Sequence, residues 1–153
     1  MTRSTRNSRT IKASPEAIYR VFADADALAA WLAPEGMTGK VHNFDFTVGG
    51  GYEMSLFYPD TGEDFKGKTA ENEDRFTARF VELSPPRKIV QAINFESDDP
   101  AFAGEMMMEV TFEPKEEGTD VTFIFTDIPP GIRPEDNEAG TESTLGKLAR
   151  YIE

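Results

Sequence analysis

"DFTVGGGYEMSLFYP", residues 45–59, sets three consecutive glycines between two runs of alternating large apolar residues. A phosphate cradle needs a helix N-terminus behind such glycines, so that backbone N–H groups converge on the anion, and a Walker loop also needs a Lys followed by Ser or Thr. Neither follows Gly51; "YEMSLFYP" alternates with a period of two and reads as a strand. Gly49 and Gly50 take positive φ at no steric cost, so the run predicts the turn of a β-hairpin and not a nucleotide loop. On that hairpin the alternation assigns His42, Phe44, Phe46 and Val48 to one face of the first strand and Tyr52, Met54, Leu56 and Tyr58 to one face of the next. Both faces are expected to look toward a helix.

Before the hairpin, residues 5–13 end in "RTIKA" and predict a first strand. "SPEAIYRVF" then offers Ser14 as N-cap and Pro15 at the first helical position. Asp24 or Asp26 caps a second short helix, "ALAAWL", which Pro34 and Gly36 end, with Leu28, Trp31 and Leu32 on one stripe. From residue 40 the period changes from 3.6 to 2, predicting strands near 40–48, 51–58, 75–83, 87–96, 105–114 and 119–127. "RPEDNEAGTESTLGKLARYIE" returns to helical spacing, and Leu145, Leu148, Ala149 and Ile152 make its buried stripe. Strands in succession with helices at the ends indicate an α+β class: an antiparallel sheet with one face against helices and a cleft between them. No repeat or linker divides the chain, so residues 1–153 are expected to form a single domain.

Composition narrows the function classes. With no Cys, disulfides, thiolate metal sites and a cysteine nucleophile are excluded, and a cytoplasmic location is expected. The formal net charge of −12 repels nucleic acid and anionic membrane surfaces. No apolar run is long enough to cross a bilayer, so membrane insertion is not expected. The basic cluster Arg3, Arg6, Arg9 and Lys12 reads as a solvated arm and strand face. One histidine, His42, leaves no imidazole-built metal site and no triad with another histidine as base. Glu63 with Asp64, Asp98 with Asp99, and Glu116 with Glu117 sit in turn-like segments as solvated charge, and no catalytic set, metal site or cofactor fingerprint emerges.

Apolar wall is plentiful. "GEMMMEVTF" puts Met106, Met108, Val110 and Phe112 on one face and Glu105, Met107, Glu109 and Thr111 on the other. Val121, Phe123 and Phe125 alternate likewise, and with Ile89, Ile93 and Phe95 they exceed what one helix covers. Traced back from Leu145, the inward stripe of the last helix runs through Thr141 to Glu138 or Asn137, so its first half is polar. Gly140 and Gly146 each cost about 1 kcal/mol of helix propensity relative to Ala, which predicts close helix-to-sheet approach or a space left open.

Several strings, in order, resemble the family of activator-of-heat-shock-ATPase homologues, within the START-like, birch-pollen-allergen-like superfamily of helix-grip proteins. They are "IKASPEAIYRVFADADALAAWLAPEG", "FDFTVGGGYEM", "FVELSPPRKIV", "EGTDVTF" and "AGTESTLGKLARYIE". The resemblance implies a seven-stranded curved antiparallel sheet gripping a long C-terminal helix around a hydrophobic cavity, with two short helices between the first two strands. It implies no single activity, because the superfamily includes lipid and hormone carriers, polyketide cyclases and a co-chaperone domain. Family members commonly carry Gly-Trp in the last helix with a histidine three residues before the Gly; here Gly140 matches, Thr141 replaces the Trp and Asn137 replaces the histidine.

The leading expectation is therefore a protein that holds a hydrophobic small-molecule ligand between sheet and helix. Phe44, Phe46, Tyr52, Met54, Met106, Met108 and Phe123 are its expected wall, Trp31 its helix-facing rim, and His42, Asn137 and Thr141 its polar contacts. A cyclase or dehydratase type of enzyme, in which His42, Tyr52 or Glu138 moves a proton, is the alternative, and a co-chaperone-like interaction module is the third. A homodimer is left open by the sequence.

Overall fold

The computed structural model describes residues 4–32, 38–57, 73–95, 100 and 104–152. Ten elements follow one another: β1 (Ser4–Ile11), α1 (Pro15–Phe22), α2 (Ala25–Trp31), β2 (Thr38–Phe44), β3 (Gly51–Phe57), β4 (Glu73–Ser84), β5 (Lys88–Phe95), β6 (Met106–Lys115), β7 (Gly118–Thr126) and α3 (Pro134–Ile152). The strands form one antiparallel sheet in the order β1-β7-β6-β5-β4-β3-β2. β2 to β7 are a simple meander, whereas β1 lies at the opposite edge from β2, so α1 and α2 carry the chain from one edge to the other. Tyr58, Arg3, Pro34, Gly36 and the acidic pairs at 63–64 and 98–99 lie outside the described residues.

The helices begin where their caps dictate. Ser14 Oγ accepts from the Ala17 N–H at 3.2 Å and Pro15 occupies the first turn, where a missing N–H costs nothing. Asp24 Oδ1 accepts from the N–H groups of Asp26 and Ala27 at 2.9 and 3.2 Å. The two helices are locked to each other by Trp31, which is fully buried, packs edge-on to Phe22 with 4.5 Å between centroids and donates its indole N–H to the Val21 carbonyl at 3.0 Å. Trp31 was expected at the rim of a cavity; it is instead the anchor of the α1–α2 pair, because its ring is enclosed and its one donor is satisfied by backbone.

The glycine run is a hairpin connection, as its strand context required, but not a two-residue turn. β2 ends at Phe44, and residues 45–50 loop over the neighbouring β4: Gly49 N–H donates to Phe80 O and Phe80 N–H to Gly50 O, each at 2.9 Å. Gly49 has φ of 89°. At Gly51 a Cβ would lie 1.9 Å from the Ala78 carbonyl oxygen, so close backbone approach decides that residue.

Strand register corrects one face assignment. His42 pairs with Glu53 and Phe44 with Tyr52, which leaves Asn43, at φ 27°, as an extra residue in β2. Such a bulge sends the residues on either side of it to opposite faces of the sheet. Phe44 joins Tyr52 on the concave face, and His42 joins Glu53 on the convex one. There His42 Nε2 hydrogen-bonds Ser55 Oγ at 2.9 Å, and Arg75 Nε donates to the same oxygen at 3.3 Å. Val48, expected on the concave wall, is 63% exposed because the strand has already ended.

The remaining alternations hold. Met106, Met108, Val110 and Phe112 are buried while Met107, Glu109 and Thr111 are only partly so. On α3, Leu145, Leu148 and Ala149 are buried against the sheet, with Ile152 packed at the margin. The core lies between this stripe, α1 and α2 on one side and the concave face on the other.

Candidate functional site

The concave face has two unlike halves. Toward α1 it is filled: Tyr19 meets the rings of Phe46 and Phe112 edge-on at 5.8 and 5.7 Å, Phe46 lies 4.9 Å from Phe80, and Phe44 stacks on Tyr52 at 5.8 Å. Each such pair adds roughly 0.5–1.5 kcal/mol beyond area burial, so this end is a packed aromatic cluster. Toward the start of α3 it is open, and a pocket of about 210 Å³ remains between sheet and helix.

The sheet supplies the pocket's apolar wall: Tyr52, Leu56, Phe76, Ile93 and Phe95 from β3, β4 and β5, and Met106, Met108, Phe123 and Phe125 from β6 and β7. Leu32, past the end of α2, and Ile132, just before α3, also line it. The helix supplies the polar side through Asp136, Asn137, Gly140, Thr141 and Thr144. These five share a broad face because the spacings of three and four residues that link Asp136 to Gly140 and Thr144, and Asn137 to Gly140 and Thr141, return to one side of a helix.

Gly140 makes room for that wall, since no atom lies within 4 Å of where its Cβ would stand. The rim side chains are held in place by the fold. Thr5 Oγ1 donates to Asn137 Oδ1, Thr141 Oγ1 to the Asn137 carbonyl at 2.7 Å, and Thr144 Oγ1 to the Leu32 carbonyl at 3.1 Å. On the sheet side the Tyr52 hydroxyl donates to Gln91 Oε1 at 2.9 Å, and burial pushes the Tyr52 phenol well above its ordinary pKa. Among the described residues no Lys, Arg or His lines the pocket.

Of the eleven site residues expected from sequence, Tyr52, Met106, Met108, Phe123, Asn137 and Thr141 come together here. The other five do not. Trp31 and Met54 are fully buried core, Phe44 and Phe46 belong to the aromatic cluster, and His42 faces the convex side. Glu138, the other proposed proton carrier, is exposed and not part of the lining. Sequence reasoning missed Leu32, Leu56, Phe76, Ile93, Phe95, Phe125, Ile132, Asp136, Gly140 and Thr144 as site residues, although it put Leu56, Ile93, Phe95 and Phe125 on apolar strand faces. Thr144 was findable, being three residues after Thr141 on the same stripe, and Phe76 by its alternation with Ala78 and Phe80; nothing local marks Ile132. Among the described residues no cluster of His, Asp and Glu is placed to hold a metal ion, and no helix is long and apolar enough to cross a membrane.

A family model described as Activator of Hsp90 ATPase homolog 1-like protein matches residues 12–153. The chain belongs to that family. Among solved structures it is similar to protein CV1439 from Chromobacterium violaceum, at 34% identity with a TM-score of 0.85, over 97% of this chain and 96% of that one. The AHSA1-like protein from Aeromonas hydrophila is 21% identical with a TM-score of 0.73, over 98% and 92% of the two chains. A protein from Arthrobacter aurescens, 18% identical with a TM-score of 0.80, covers 97% and 85% and shares the fold. No curated protein matches the sequence. Membership agrees with the START-like, helix-grip architecture seen in the sheet and α3.

Proposed function

We propose that this protein is a small-molecule binding protein that takes a compact, largely apolar ligand between the sheet and the first half of α3. The observation that carries the proposal is the division of the concave face. One half is closed by aromatic packing, yet the other holds a pocket of about 210 Å³ walled by Met106, Met108, Phe123 and Phe125. An apolar cavity of about 150 Å³ already holds benzene. Typical drug-sized sites start near 300 Å³. The volume therefore favours a ligand of one or two rings over a long acyl chain. Two methionines side by side suit an irregular apolar guest, because the thioether is flexible and polarizable.

Methionine methyl NMR tests the reading with an internal control. Titration with naphthalene is expected to shift the methyl signals of Met106 and Met108 and to leave Met54, in the core, and Met107, on the other face, in place. Unchanged Met106 and Met108 signals across a panel of neutral one- and two-ring compounds would overturn it.

A further inference from the structure

Tyr52 of the pocket's wall is tied to Gln91, buried outside the lining, in a polar pair that the fold does not need. Tyr52, 5% exposed, lies on β3, and Gln91, 2% exposed, lies two strands away on β5. Gln91 shares a cross-strand row with Phe80 on one side and with Met108 on the other, and Met108 pairs with Phe125. The glutamine is thus set into the same row as two pocket-lining side chains. A Phe at 52 and a Leu at 91 would complete an unbroken apolar wall. Replacing both partners of a buried hydrogen bond by apolar groups of similar shape is close to neutral for stability, so packing alone gives no reason to keep them.

The hydrogen-bond count says what the pair offers. A tyrosine hydroxyl has one proton and two lone pairs, and the proton is committed to Gln91 Oε1 at 2.9 Å. What remains on the hydroxyl of this pocket-lining residue is an acceptor. Because burial holds the phenol protonated well past neutral pH, that acceptor is uncharged and matches a neutral O–H or N–H donor. Asp136 also lines the pocket, and among the described residues no cationic side chain does. A carboxylate guest would enter beside a like charge with no cation among the described lining residues to pair it, in a chain whose net charge is −12.

Resting on the ligand-binding reading above, we propose that the Tyr52 hydroxyl, positioned by Gln91, recognises a neutral hydroxyl or N–H donor on a compact one- or two-ring ligand, and that the site discriminates against carboxylates.

Four probes of matched shape test this at neutral pH by calorimetry: 2-naphthol, 2-methoxynaphthalene, naphthalene and 2-naphthoate. The hydroxyl compound is expected to bind about twofold to tenfold more tightly than naphthalene and the methyl ether, the range one net hydrogen bond supplies, and 2-naphthoate more weakly than 2-naphthol by at least about tenfold. Tyr52→Phe should bring 2-naphthol down to the naphthalene value while leaving naphthalene within about twofold. The double variant Tyr52→Phe with Gln91→Leu, which leaves no orphaned amide, should behave the same and remain folded. Equal binding of 2-naphthol and naphthalene, tightest binding of 2-naphthoate, or an equal loss for all probes in Tyr52→Phe would overturn the proposal while leaving ligand binding standing. Failure of all four probes to bind would overturn both.

Discussion

His42 stands opposite Glu53 across the β2–β3 ladder and hydrogen-bonds Ser55, one extra residue at Asn43 having turned it away from the concave face that Phe44 and Tyr52 share. The single imidazole of the chain is therefore part of a convex-face network with Ser55 and Arg75, whose guanidinium also lies 3.7 Å from Glu53. That placement removes the imidazole from any chemistry in the pocket.

His42→Ala is expected to lower stability by about 1 kcal/mol, the net worth of one side-chain hydrogen bond plus partial desolvation of its partner. Urea unfolding gives the stability change, and naphthalene titration should return an unaltered affinity. A loss of binding in a folded variant would bring the histidine back to the site.

Two glycines should respond in opposite directions to alanine. At Gly51 the new Cβ would meet the Ala78 carbonyl at 1.9 Å, backbone against backbone, and the hairpin and β4 must part to admit it. A loss of about 3 kcal/mol or more is expected, in the upper range for single substitutions. At Gly140 the Cβ enters open space on the pocket's helix side, so Gly140→Ala should gain up to about 1 kcal/mol of helix propensity. Gly140→Trp should keep the fold and abolish binding of any ligand by filling the pocket. Denaturant midpoints and probe affinities of the three variants read all these outcomes.

Burial raises the pKa of Tyr52, with the Gln91 bond opposing it more weakly, and burial raises Tyr19 in the same direction. A folded-state pKa above the unfolded one means that the unfolded chain releases its proton first as pH rises. The stability associated with these phenols is fully present below the ordinary tyrosine pKa of about 10 and is lost progressively above it. Stability curves at increasingly alkaline pH should therefore fall, and Tyr52→Phe should flatten the fall. An unchanged slope in that variant would show that Tyr52 is not a buried phenol.

Local sequence signals were strongest where a single residue's chemistry settles the backbone. Ser14, Pro15 and Asp24 start the two short helices as their side chains dictate, and Gly51 cannot be anything larger. The alternation in "GEMMMEVTF" separated buried from outward residues because β6 pairs without interruption on both sides. The same rule failed in β2, where a bulge at Asn43 breaks the period of two. Asn is a residue type that tolerates positive φ, but so many Asn residues occur outside bulges that its presence carries no warning.

Pocket membership was less legible than the fold. Met54 and Met108 are equivalent in pattern, both inward on strands and both buried, yet only Met108 lines the pocket. Trp31 is the last residue of α2 and Leu32 follows it directly, yet the larger became core while the smaller lines the pocket.

What the sequence determined by itself was the order of elements, the caps and the apolar face of each uninterrupted strand, because these depend on neighbours within a few residues. What only the tertiary structure decided was which half of the concave face stays empty. That depends on how α1 brings Tyr19 onto Phe46 and Phe112, and on how α3 is fixed to β1 by Thr5 with Asn137 and to the end of α2 by Thr144 with Leu32. These contacts join residues more than ninety positions apart, apart from Tyr19 with Phe46, and a cavity is the space such long-range contacts leave unfilled.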